Sequence, residues 1–201
     1  MNTPTQQTRT ARPTRRAFHV VSHVMFALGI LALGYAGFAF ADSHIYQAVE
    51  IRKFEHASAV PKTHVLADGD VLGEIQIPRL QLNAVVVQGD SNRDLRRAVG
   101  HLSESALPGE QGNIVLAGHR DTFFRPLRNI RVGDDILLRT ESSSFAYRVE
   151  SFAVVAPSNV QALAPSTGHE LTLVTCFPFY YVGPAPRRLI VRAAEVDEAS
   201  Q

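Results

Sequence analysis

Leu171-Thr172-Leu173-Val174-Thr175-Cys176-Phe177-Pro178 is the stretch on which the reading of this chain turns. Its apolar and β-branched residues make a strong strand. The cysteine stands at the end of that strand, and Pro178 closes it because proline has no N–H to give to a ladder. A strand end running into a proline-containing loop is a rigid place to hold a nucleophile near solvent. Cysteine is also among the most buried residue types, so this stretch alone leaves core packing and catalysis both open. Cys176 is the single cysteine of the chain, which excludes an internal disulfide and a Cys-based zinc site.

Two other segments share the same design. Asn113-Ile114-Val115-Leu116-Ala117-Gly118-His119-Arg120-Asp121 is an apolar strand that ends at a glycine and opens onto a polar cluster. Pro186-Arg187-Arg188-Leu189-Ile190-Val191-Arg192 opens a strand with a pair of arginines. A histidine at a strand end is more often a packing or solvated residue, and an arginine there is more often a surface one. Close to a cysteine, they would instead supply an acid/base and an oxyanion donor. His119-Arg120-Asp121 also matches the kinase catalytic-loop triplet, but no Gly-rich phosphate loop or Asp-Phe-Gly accompanies it.

Around these segments the chain is rich in short strands. Residues 72–77, 84–87, 113–117, 135–139, 145–155, 170–176 and 188–192 are the strand candidates. Gly89-Asp90, Pro108-Gly109 and Val132-Gly133-Asp134 punctuate them. A helix is expected over 92–99, a short one near 123–130, and a turn or helix in 159–163. Many short strands with few helices indicate an all-β barrel or sandwich.

The N-terminal part differs. Residues 1–17 carry Arg9, Arg12, Arg15 and Arg16 and no acid, and from Phe18 to Ala41 there is no charged residue. As a helix those roughly 24 residues span about 36 Å, enough to cross a hydrocarbon core of about 30 Å. The arginines before the segment and Asp42 after it place the N-terminus in the cytoplasm and the rest of the chain outside. Ala39-Phe40-Ala41 resembles a signal-peptidase site, yet the apolar run is longer than a secretory h-region. The expected organisation is a basic tail (1–17), a transmembrane anchor (18–41), a stalk (42–70), an exported domain (71–196) and a short C-terminal tail (197–201). Within the stalk, 42–57 can be helical, with Ile45, Val49 and Ile51 giving a weak apolar face and Pro61 ending it.

Hydrophobic residues at 45% and charged residues at 19% allow a packed core in one domain. A formal charge of +1 gives no footing for nucleic acid. The histidines are scattered through anchor, stalk and domain, and no metal site is expected.

Taken together, the three strand ends resemble the sortase family. Its marks stand here as Leu116-Ala117-Gly118-His119, Thr172-Leu173-Val174-Thr175-Cys176, and Arg188 before Leu189-Ile190-Val191. The resemblance spans about 71–196. The run from Cys176 to Arg187, the N-terminal anchor and the lack of an Asp-Pro-aromatic lid look most like the class D type. What this implies is a closed eight-stranded β-barrel with short helices, and a cysteine transpeptidase needing no cofactor. Cys176 would be the nucleophile, His119 the acid/base and Arg188 the oxyanion partner, with substrate contacts at Thr175, Ala117, Val160 and Leu163. The implied partners are secreted proteins with an LPxT-like sorting signal and an amine acceptor, from a peptidoglycan precursor or another surface protein. Of the paired arginines, the family register selects Arg188. Residues 156–168 correspond to the loop forming much of the family's sorting-signal groove, and Pro157, Val160, Leu163 and Pro165 suit a Leu-Pro anchor; a packed connector is the plainer alternative. An L,D-transpeptidase would carry a glycine before the cysteine, and a papain-like hydrolase would place Cys before His.

Overall fold

The computed structural model describes residues 15–56 and 66–196. Most of the basic tail, the chain around Pro61 and the C-terminal tail lie outside these. The chain forms two compact units, residues 1–42 and 43–201.

The first unit is the beginning of one long helix, α1 (Arg15–His56). Its stretch Phe18–Phe38 is long and apolar enough to cross a membrane, and none of it is buried against protein. An apolar surface of that length without protein cover is what a bilayer-spanning helix presents.

The second unit is a closed barrel. Its strands are β1 (Val71–Ile77), β2 (Leu82–Gln88), β3 (Val99–His101), β4 (Gly112–Gly118), β5 (Asp135–Arg139), β6 (Ser144–Val155), β7 (His169–Phe177) and β8 (Arg187–Glu195). They close in the order β1-β2-β3-β4-β7-β8-β6-β5. Most neighbours are antiparallel, but β2 with β3 and β4 with β7 run parallel. Closure leaves no free sheet edge. Three short 3₁₀ turns join strands: η1 (Pro78–Leu80), η2 (Arg125–Asn129) and η3 (Val160–Leu163).

Alternation explains the core. Ile75 and Ile77, Ala84 and Val86, Ile114 and Leu116, Leu171 and Leu173, and Leu189 and Val191 all point inward and are almost wholly buried. Phe124 and Leu127 close the core from beside and within η2.

The structure differs from the expectation at two places. Residues 92–97 are consecutive turns rather than a helix. Asp94 accepts from both Arg97 and Ala98, and the chain then enters β3. Val99, expected to end the helix, starts a strand that pairs with Val86–Gln88 and with Leu116–Ala117. Gly100 allows this insertion, because a Cβ there would stand 2.4 Å from the Gly89 carbonyl oxygen. Cross-strand pairing on both sides overrides a local helical preference.

The helical part of the stalk also does more than separate. Ile45 and Val49 are exposed, whereas Tyr46 and Ile51 pack against Val85, Val87 and Ala98. Between them Gln47 donates to the Arg97 carbonyl at 2.6 Å and accepts from the Val85 N–H at 2.8 Å.

Candidate active site

The site is assembled by register. β4 and β7 run side by side in parallel, with Gly112 opposite His169 and Gly118 opposite Thr175. The next residues in each strand direction are His119 and Cys176. The Thr175 hydroxyl donates to the Gly118 carbonyl at 2.8 Å, binding the two strand ends one residue before each of them. On the other side β8 runs antiparallel to β7, pairing Cys176 with Arg188 and Phe177 with Arg187. Successive residues face opposite ways, so Arg188 shares the face of Cys176 and Arg187 does not. A glycine is required before His119: a Cβ at Gly118 would meet the Phe124 ring at 2.7 Å.

Cys176 is half-buried, as are His119 and Arg188. The Arg188 Nη1 donates to the carbonyls of Ala185 at 3.2 Å and Arg187 at 3.0 Å. Its Nε and Nη2 carry further donors in the same plane. The arrangement therefore places a thiol at a strand terminus, an imidazole on one neighbouring strand end and a guanidinium on the other. Such a set can attack a carbonyl, shuttle a proton and donate to an oxyanion.

A cleft of about 450 Å³ lies on the outer face of β6 and β8. Ala153 and Val155, Ile190 and Arg192, and Gln161 and Ala162 of the β6–β7 loop line it. Val155 is the cross-strand partner of Arg188, which is the partner of Cys176, so the cleft approaches the cysteine from the β6 side. The loop is tied down through its carbonyls. Arg192 donates to Ala162 at 3.3 Å, Asn113 to Ala164 at 3.1 Å and Gln111 to Thr167 at 2.6 Å. Val160 is 70% exposed and does not line the cleft, nor does Leu163, which is half-buried. Ala117 is half-buried on β4 opposite Val174, while Thr175 is buried with its hydroxyl on Gly118. A second cleft, of about 510 Å³, holds Arg79, Arg128 and Arg131 beside η1 and η2, and none of the expected site residues lines it. Among the described residues no group of His, Cys, Asp and Glu could hold a metal ion.

Two residues near the site escaped the sequence reading. Asn113 accepts from Thr172 at 2.7 Å and so joins β4, β7 and the β6–β7 loop. Arg120 reaches into the β7–β8 loop, donating to the carbonyls of Pro178 at 3.1 Å, Tyr181 at 2.7 Å and Gly183 at 2.9 Å. The available signal for both was position: a polar side chain within or just past an otherwise apolar strand.

Comparison with known proteins agrees with this geometry. The family model described as the sortase domain matches residues 75–196. The chain is 30% identical over 194 residues to sortase D of Bacillus subtilis (strain 168), covering 88% of this chain and 98% of that protein. Among solved structures it is similar to a sortase D5 transpeptidase of Clostridium perfringens, with a TM-score of 0.67 and 25% identity over 78% of this chain and 99% of that one. It is likewise similar to a lid mutant of sortase A from Corynebacterium diphtheriae, with a TM-score of 0.61 and 32% identity over 68% and 74% of the two chains. With the closed barrel and the strand-end motifs already in place, the chain belongs to the sortase family of transpeptidases, and its likenesses include members of class D.

Proposed function

We propose that this chain is a membrane-anchored cysteine transpeptidase that cleaves an LPxT-type sorting signal and transfers the protein to an amine at the cell surface. What carries the reading is the register: Cys176 faces Arg188 across one strand pair and follows, on the other, the residue paired with Gly118 before His119.

The Cys176 thiolate attacks the carbonyl carbon between the Thr of the signal and the following residue. Arg188 donates hydrogen bonds to the oxyanion that forms, an interaction worth about 2.7–4 kcal/mol per donor. The C–N bond breaks as His119 gives its proton to the departing amine, leaving a thioester on Cys176. An incoming amine then attacks that thioester, loses a proton to His119 and forms the new amide as the thiolate departs. Splitting the exchange into two steps is the benefit of a covalent nucleophile. Water in place of the amine gives hydrolysis as a side reaction. The apolar part of the cleft beside residues 156–168, formed by Phe152, Ala153, Val155, Ala162 and Ile190, suits the Leu-Pro part of the signal. The uncovered stretch Phe18–Phe38 holds the chain in the cytoplasmic membrane, with the arginine-rich tail inside and the barrel outside.

The test is a peptide library of LPxT type incubated with the native chain and an amine, with mass spectrometry of the products. Cleavage after Thr and transfer to the amine are expected, together with a thioester trapped on Cys176 at low pH. Absence of both cleavage and transfer across the library would sink the proposal. The anchored topology is checked separately: the chain should stay with membranes through an alkaline carbonate wash, and a soluble form beginning at Asp42 would overturn it.

A further inference from the structure

We infer that Arg120 is a positioning residue of the active site, locking the loop after the cysteine onto the strand end that carries the histidine. The inference rests on the roles proposed for His119 and Cys176. Those residues are bracketed by two ties. One residue before each, Thr175 donates to Gly118. Just after them, Arg120 donates to Pro178, two residues beyond the cysteine. The same guanidinium continues along the loop to the carbonyls of Tyr181 and Gly183, and lies 5.9 Å from the centre of the Tyr181 ring.

The geometry is not that of a surface arginine. Among the described residues Arg120 forms no ion pair, and its hydrogen bonds go to backbone carbonyls of one loop. That loop has little hydrogen bonding of its own: Tyr181 N–H donates to Pro178 at 3.4 Å, and its neighbours form no ladder. Phe179 packs against the core and Arg188 donates to Ala185, but the guanidinium is what holds the backbone carbonyls of Pro178, Tyr181 and Gly183 between them. A second contact reinforces the first, for Arg128 of η2 donates to the Tyr180 hydroxyl at 3.1 Å, its guanidinium 5.9 Å from the centre of that ring. The stretch from His119 through η2 and the loop after Cys176 are therefore joined at two points, Arg120 and Arg128. A planar fork reaching several carbonyls is something arginine supplies and lysine does not.

The test reads the coupling between His119 and Cys176 without needing a substrate. The rate of alkylation of Cys176 by iodoacetamide is measured against pH for the full chain in detergent, for Arg120→Lys, Arg120→Met and His119→Ala, with melting temperatures alongside. The expected result is that both Arg120 variants melt within about 4 °C of the parent. Their alkylation profiles should move away from the parent's toward that of His119→Ala. On a sorting peptide, Arg120→Lys should lose about 10-fold or more in kcat with KM changed less than about 2-fold, as expected for a misplaced catalytic pair. Alkylation profiles of the folded Arg120 variants that coincide with the parent's overturn the inference, whatever happens to turnover. Failure of the parent to process any sorting peptide would strike the proposed function instead, and leaves the alkylation comparison to be read by itself.

Discussion

β7 and β8 have two faces that the sequence makes by simple alternation, and the two could hardly be used more differently. The inner face carries Leu171, Leu173 and Thr175 against Leu189, Val191 and Ala193, all buried. The outer face carries Val174 and Cys176 against Arg188, Ile190 and Arg192, with the cysteine and Arg188 half-buried and Arg192 exposed. One side is close-packed and apolar apart from a threonine whose hydroxyl is spent on Gly118. The other is a partly open floor under a loop. The lesson is a division of labour at one-residue resolution: the close packing is concentrated on the inner face, and the residues proposed for the chemistry stand on the outer.

The sharpest way to break that comparison is at the cysteine. Cys176→Ala should abolish cleavage and transfer while leaving the melting temperature within about 4 °C of the parent. Turnover above a few per cent, or collapse of the fold, would show that the outer face is not divided in this way. His119→Ala should lose both half-reactions, since the proposed mechanism uses the same imidazole in each.

Next in size is the arginine pair. Arg188→Lys keeps the charge and loses the fork, and should lower kcat by about 10²–10³-fold. Arg187→Lys, exposed and paired with Phe177, should change stability within about ±0.5 kcal/mol and leave kcat nearly as it was. The reverse pattern in one assay would put the oxyanion partner on the wrong face. The inner-face counterpart is Leu173→Ala, which should cost about 2–5 kcal/mol in denaturant unfolding through the cavity it opens. Its kcat should stay near the parent's under conditions where it remains folded.

Smaller effects belong to the cleft. Ala162 lines it and is buried, so Ala162→Leu should fill part of the volume and raise KM about 10-fold, within the range that one misfitted apolar group commands. Val160→Ser, at an exposed position outside the lining, should change KM far less. An equal response from the two would mean that substrate meets the loop's outer surface as well as the cleft beneath it.

Much of this was legible beforehand because the signals were local. Thr172 to Cys176 read as a strand ending in a thiol, and the Gly118-His119 and Arg187-Arg188 positions read as strand ends too. The seven strand candidates all correspond to strands in the barrel. The missing strand, Val99–His101, was illegible for a physical reason. It is too short for a period to show, it has a glycine in the middle, and its pairing on both sides comes from distant residues. The arginine at position 120 was visible only as part of a discarded triplet, since its partners lie 58 to 63 residues along the chain. The lining of the cleft was likewise hidden. Residues 156–168 show which side chains are apolar, but the coil of η3 turns Ala162 inward and leaves Val160 outside.

The last expected effect concerns pH and the inner face. His101 is fully buried on β3, with Nδ1 2.9 Å from the Gln88 side-chain oxygen and Nε2 2.9 Å from the Ala106 carbonyl. Burial pushes its pKa down, against smaller opposing influences from the Ala106 hydrogen bond and the Glu110 charge. A neutral ring satisfies both contacts by donating from Nε2 to Ala106 and accepting at Nδ1 once the Gln88 amide is turned to present its N–H. The sign of the linkage follows. The unfolded chain takes up a proton near pH 6.5, and the folded chain resists it until lower pH. Stability from this site is therefore complete above about pH 6.5 and falls as the pH is lowered, by at most about 1.4 kcal/mol per pH unit for one proton. His101→Gln removes the titration and disturbs the hydrogen bonds, so it should be less stable at pH 7.5 by about 1–3 kcal/mol. Unfolding curves of the two proteins should converge between pH 7.5 and 5.5, the parent losing more over that interval. Parallel curves would show that the ring titrates in the fold as it does in the unfolded chain, and a parent that gains on the variant as the pH falls would show that the inner face holds the charged ring its packing is here taken to exclude.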